Sequence, residues 1–148
     1  MPILEQIDQD LIKALKAGEK LKATVLRGLK SDIKYAQIEK KTALSDTDVI
    51  DVLSSAAKKR RESIEQYQAA GRQDLVTKET SELDVIQGYL PVQLSEAEVR
   101  QIISDAVAET GADSPAKMGL VMKAVMPKVK GRADGKLVNR LVQEILAK

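Results

Sequence analysis

Leu4, Ile7, Leu11 and Leu15 recur at steps of three and four, the period of one helical face, and Gly18 follows as a stop. A second stripe runs through Leu21, Val25, Leu29, Ile33 and Ala36, with lysines and Asp32 on the other faces. Ser45 reads as an N-cap and Asp48, three residues on, as a weaker variant of the capping box. Leu44 and Val49 occupy the two positions of a hydrophobic staple. The helix opened there carries Val49, Val52, Leu53, Ala56, Ile64 and Tyr67, and Gly71 suits its C′ position. Asp74 is placed to cap a fourth helix with Leu75, Leu83, Ile86 and Leu90 as apolar positions, and Gly88 blurs its end.

Pro91 stops that element, and Leu94-Ser95-Glu96-Ala97-Glu98-Val99 is the clearest start signal in the chain. Ser95 caps, Glu98 completes the box, and Leu94 with Val99 forms the staple. Val99, Ile102, Ile103, Ala106 and Val107 then mark a core face that Gly111 ends. Ser114-Pro115 predicts another N-cap, with proline at the first helical position. Met118, Val121, Met122 and Val125 give the next stripe, which Pro127 should end or kink. Asp134 can cap a last helix facing inward through Leu137, Val138, Leu141, Val142 and Ile145. No segment alternates with period two. The pattern therefore predicts an all-α protein, with an N-terminal domain of about four helices over residues 1–91 and a C-terminal three-helix domain over residues 94–148.

Composition narrows the chemistry. Apolar residues make up 43% of the 148 and charged residues 31%, a globular balance. No apolar run is long enough for a membrane span, and the mixed, acidic start does not suit a secretory signal or a transit peptide. A cytoplasmic protein without a membrane partner is the expectation. Cys, His, Trp and Phe are absent. Their loss removes disulfides, the commonest zinc ligands, the commonest general base and the most reactive nucleophile. Neither a metal nor a cofactor is expected, and no catalytic residue is assigned. The i,i+2 acid pairs (Asp8 with Asp10, Asp46 with Asp48, Glu96 with Glu98) do not meet on a helix and lie at first turns or caps, where acids belong anyway.

Net charge is only +2, so an anion site requires local clustering. Between Lys123 and Arg140 the chain holds Lys123, Lys128, Lys130, Arg132, Lys136 and Arg140 against Asp134 alone, and this segment stands out as the one charge anomaly. Gly131 and Gly135 allow close backbone approach, and the segment leads into a helix N-terminus, which favours anions unless Asp134 already satisfies it. Lys136, Asn139, Arg140 and Gln143 form a polar stripe opposite the apolar face, suited to phosphate and sugar or base edges. A solvated loop and helix face would look the same. Lys58-Lys59-Arg60-Arg61 points in four directions on a helix and reads as a charged exposed surface. Met118, Met122 and Met126 read as core packing. Few aromatics argue against single-strand readout by stacking, but not against binding of a folded RNA.

Met118-Gly119-Leu120-Val121-Met122-Lys123, then Lys130-Gly131-Arg132-Ala133-Asp134, then Val138-Asn139-Arg140-Leu141 resembles the C-terminal signature of the GatB/YqeY family. Tyr89-Leu90-Pro91-Val92-Gln93-Leu94-Ser95-Glu96 is similar to the stand-alone YqeY branch, and the resemblance covers essentially the whole chain. It implies a two-domain helical fold. It also implies binding of tRNA or another structured RNA, since the matching tail domain of the glutamine-dependent tRNA amidotransferase grips the tRNA body. Lys123, Lys130, Gly131, Arg132 and Asn139 fall on the motif, while Lys128, Lys136 and Arg140 are added on local charge. Two departures are visible: the spacer Ala124–Val129 is longer than in the amidotransferase, and Gly135 stands where that pattern has proline.

The expected function is thus a non-catalytic RNA binder. The alternative is a helical adaptor that docks a tRNA-modifying or aminoacylating enzyme, or an accessory to amidotransferase activity. Amidotransfer by this chain alone is opposed by its length and by the absence of a Gly-rich nucleotide loop.

Overall fold

The computed structural model describes residues 2–148. Among them every regular element is helical: α1 (Ile3–Ala17), α2 (Lys20–Lys40), α3 (Asp46–Ala69), α4 (Gln73–Gln87), α5 (Glu96–Thr110), a 3-10 turn (Pro115–Lys117), α6 (Met118–Val129) and α7 (Gly135–Leu146). The chain divides into two compact units after Leu90. None of these helices is long and apolar enough to cross a membrane.

In the first unit, Gly18 takes the left-handed conformation (φ 74°) that closes α1 and reverses the chain into α2. The Ser45–Asp48 capping box forms in full at the start of α3, and Gly71 adopts φ 71° just beyond its end. Ile7, Leu26, Leu29, Ile33, Leu53 and Ile86 fill the core. Two stripe positions do not reach it: Leu15 is 50% exposed and Leu21 40%. The interior beside the Gly18 turn is taken instead by Ala14 and Ala23. Their small side chains suit two helices brought close by so short a connection. Asp74 does not cap α4. Arg72 holds the N-cap position without a side-chain cap bond, and its guanidinium binds the Asp74 carboxylate in two hydrogen bonds of 3.2 and 3.0 Å. The acid therefore sits inside the first turn, where the helix dipole still favours it. Of the Lys58–Arg61 run, Lys58 and Lys59 are exposed, while Arg60 turns toward Glu79 and Glu82 of α4 at 3.7 and 3.6 Å.

In the second unit, Ser95 and Glu98 form the complete capping box of α5, and Gly111 ends that helix at φ 68°. Ser114 caps differently from the sequence expectation. Its hydroxyl makes no cap bond, and its backbone carbonyl accepts from Lys117 at 3.0 Å to close the 3-10 turn. Pro127 does not end α6, which continues to Val129. The only bond it deletes is the one to the carbonyl four residues back, a modest loss so near the helix end. Val99, Ile103, Val121, Val125, Val138 and Leu141 form the core, with Met118, Met122 and Met126 packed partly buried against it.

Candidate nucleic-acid interface

The turn between α6 and α7 is built by its backbone. The Val129 carbonyl accepts from the N–H groups of Arg132 (2.8 Å) and Ala133 (3.0 Å), and Gly131 sits between at φ 74°. A side chain would strain that position, so the glycine of the Lys-Gly-Arg motif is a geometric requirement. Asp134 is the N-cap of α7, its carboxylate accepting the Lys136 N–H at 3.3 Å. The helix N-terminus thus already has its anion, so the helix end is not a candidate anion site.

A second segment braces this turn. The Leu94 N–H donates to the Arg132 carbonyl at 2.8 Å. The Gln93 side-chain amide donates to the carbonyls of Gly131 (2.8 Å) and Pro91 (2.9 Å). The Arg132 Nε donates to the Val92 carbonyl at 3.3 Å. Two motifs that lie far apart in the sequence, around Pro91-Val92-Gln93-Leu94 and around Gly131-Arg132, therefore hold one another in place. Composition and charge do not mark Gln93. Its signal was its place in the Y-L-P-x-Q-L segment.

The candidate residues separate into groups. Lys130 and Lys136 flank the turn and are exposed, while Gly131 and Arg132 are half-buried within it. Lys123 and Lys128 are exposed on α6, but five helical residues apart they point about 140° away from each other. Asn139 is exposed and accepts a hydrogen bond from Gln143 at 3.2 Å. Arg140 belongs to a ring of charges joining α7 to α5. It meets Glu96 at 2.9 Å and Glu144 at 3.8 Å, and Arg100 meets Glu144 at 3.0 Å and Glu96 at 3.7 Å. Two cations face two carboxylates there, so Arg140 adds little net field. Glu98 is held below the usual carboxylate range by its hydrogen bonds to Ser95, with Arg132 adding a smaller pull.

The 123–140 segment is not the one charge anomaly. From Lys20 to Lys41 the chain carries seven cations (Lys20, Lys22, Arg27, Lys30, Lys34, Lys40 and Lys41) against Asp32 and Glu39. Residues 1–93 sum to zero because acids elsewhere offset α2, and only a count over one helix exposes the excess. Among the described residues no group of three or more acidic side chains is placed to hold a metal ion.

The sequence matches the family model described as Yqey-like protein over residues 4–146. It is similar to the protein named "Altered inheritance of mitochondria protein 41, mitochondrial" in several fungi. The Pyrenophora tritici-repentis protein is 30% identical over 148 residues, covering 97% of this chain and 81% of the relative. The Lachancea thermotolerans protein is 34% identical over 131 residues, covering 86% and 68%. A Saccharomyces cerevisiae protein of the same name is 38% identical over 96 residues, covering 62% and 51%. The names of these relatives are mitochondrial, which overturns the expectation of a cytoplasmic protein drawn from composition. Composition reports solubility, not compartment.

Proposed function

The chain belongs to the YqeY-like family, and on that premise we propose that it is a non-catalytic protein that binds tRNA or another structured RNA through its C-terminal unit. The observation that carries this reading is the braced α6–α7 turn. It presents Lys130 and Lys136 to solvent on a backbone fixed by Gly131, Gln93 and Leu94, with Lys128 exposed in the last turn of α6 just before it. A rigid basic turn loses little conformational freedom when it meets phosphates. In this reading Lys128, Lys130 and Lys136 supply the contacts at the turn, and Lys123, on another face of α6, meets a separate phosphate. Arg132 positions the turn, and Arg140 supports the α5–α7 packing.

The second reading, an adaptor docking a tRNA-linked enzyme, draws on the exposed apolar residues Val92 and Leu120. Single exposed apolar side chains are common and need no partner, so this reading is the weaker. Ultraviolet crosslinking of the full chain to bulk tRNA, followed by peptide mapping, separates the two. Crosslinks concentrated in peptides covering residues 117–140 support the RNA reading. Crosslinks no denser there than elsewhere, or none at all, overturn it.

A further inference from the structure

We propose that α2 carries a second phosphate-binding surface, formed by Arg27, Lys34 and Lys41 beside the α1–α2 groove, that contacts the sugar–phosphate backbone of a folded RNA. The inference rests on the reading of the protein as an RNA binder for its class of ligand, but its residues lie in the other unit.

Arg27 and Lys34 are seven residues apart, which places them on one side of α2 about 10.5 Å apart, and Lys41 follows seven residues on as the left-handed C-cap of the helix. The heptad drift of about 20° keeps the row nearly straight. Among the described residues no carboxylate pairs with any of the three. Their neighbours are neutralised: Lys30 meets Asp8 at 2.7 Å and Lys40 meets Asp48 at 2.5 Å. The acids of α2 itself, Asp32 and Glu39, lie about 120–140° around the helix from Arg27. The row is therefore an uncompensated line of positive charge.

Arg27 and Lys34 line a groove of about 450 Å³ between α1 and α2, to which Lys30, Ser31 and Gln37 also contribute donors, and Lys41 lies beyond it. Its one acid, Asp8, is the partner of Lys30. Ile38, 64% exposed, stands on the side of the row, and Tyr35, 71% exposed, lies about 80–100° around the helix from Arg27 and Lys34. A lipid bilayer suits this surface poorly. A helix lying on a membrane inserts a continuous apolar face, and the apolar face of α2, with Val25, Leu26, Leu29 and Ile33, is already spent on the core. What remains outward carries the cations of the row with only single apolar side chains among them.

The test uses the full chain and fluorescently labelled bulk tRNA, read by anisotropy over a salt series. Arg27→Glu, Lys34→Glu and Lys41→Glu are combined in one variant, and Lys123→Glu, Lys128→Glu and Lys130→Glu in a second. The α2 variant is expected to bind at least about tenfold more weakly, with its log–log salt slope smaller in magnitude by about 2. If circular dichroism shows that it misfolds, the milder Arg27→Gln/Lys34→Gln pair should still lower affinity and slope. Unchanged affinity and slope in the folded α2 variant, with binding lost in the other, overturns this inference and leaves the C-terminal reading standing. The reverse pattern supports this inference and overturns the C-terminal one. Absence of wild-type binding overturns both. Flotation with phosphatidylglycerol vesicles, lost in the α2 variant while tRNA affinity is unchanged, makes the surface a membrane face and also overturns the inference.

Discussion

The Gln93 side-chain amide donates to the Gly131 carbonyl at 2.8 Å across 38 residues of sequence. The same amide reaches the Pro91 carbonyl, so one side chain fixes both the entry to the second unit and its basic turn. Gln93→Ala should therefore leave two half-buried carbonyls without this donor. The expected loss is about 1–2 kcal/mol, from two bonds of about 1 kcal/mol each. Thermal denaturation checks it, and an unchanged melting temperature would show that water replaces the amide at no cost. The variant should also speed amide exchange at Arg132 and Ala133, the donors that close the turn.

Arg140→Glu should destabilise the second unit. Glu96, Glu144 and the new acid would then crowd around Arg100. Because these groups are exposed, the loss should stay near or below about 1 kcal/mol and shrink as salt rises. Urea melts at low and high ionic strength test this, and a deficit independent of salt would point to packing instead of charge.

Tyr89 donates its hydroxyl to Asp10 at 2.5 Å, tying the end of the first unit back to α1. This bond is the main cause that holds the Asp10 carboxyl below its usual range. A depressed carboxylate contributes stability that is present above its unfolded pKa, near 4, and is lost as pH falls through the folded value. Tyr89→Phe should thus cost about 1 kcal/mol at neutral pH, and the gap to wild type should close in acid, below pH 4. A gap that is constant down to pH 2 would assign the loss to packing of the ring.

Lys41 is the one non-glycine residue at positive φ (63°) among the described residues, and it ends α2. Lysine pays a steric cost there that glycine does not. After the entropy that glycine adds to the unfolded chain, Lys41→Gly should gain up to about 1 kcal/mol in chemical denaturation. A clear loss would mean that the side chain does more for the fold than its exposure indicates.

Much of the fold was legible because local chemistry and global packing agree. Ser45 with Asp48, Ser95 with Glu98, and Gly18, Gly111 and Asp134 all mark helix ends where the structure has them. The misreadings arise where two local signals compete. Asp74 suits a cap by sequence but its carboxylate is engaged by Arg72, and Pro127, expected to end or kink α6, does not end it because little helix is left to lose there. The basic turn was legible as a cluster of charge. Its bracing by Gln93 was not, because pairing across 38 residues has no local period. Arg140 appeared as a candidate cation because its partners, Glu96 and Glu144, sit on a neighbouring helix and one turn along its own. The α2 row is hidden in the sequence because its charge is cancelled over residues 1–93 as a whole.

The most direct test of the account is the salt dependence of tRNA binding by the full wild-type chain. If the lysines of the α6–α7 region meet phosphates, log affinity should fall linearly with log salt. Three or four contacts give a slope on the order of −2 to −4. The Lys123→Glu/Lys128→Glu/Lys130→Glu variant should bind far more weakly and with a shallower slope, its helicity unchanged. A flat titration for the wild type, or a variant that binds as tightly and with the same slope, would contradict the assignment of RNA binding to the C-terminal unit.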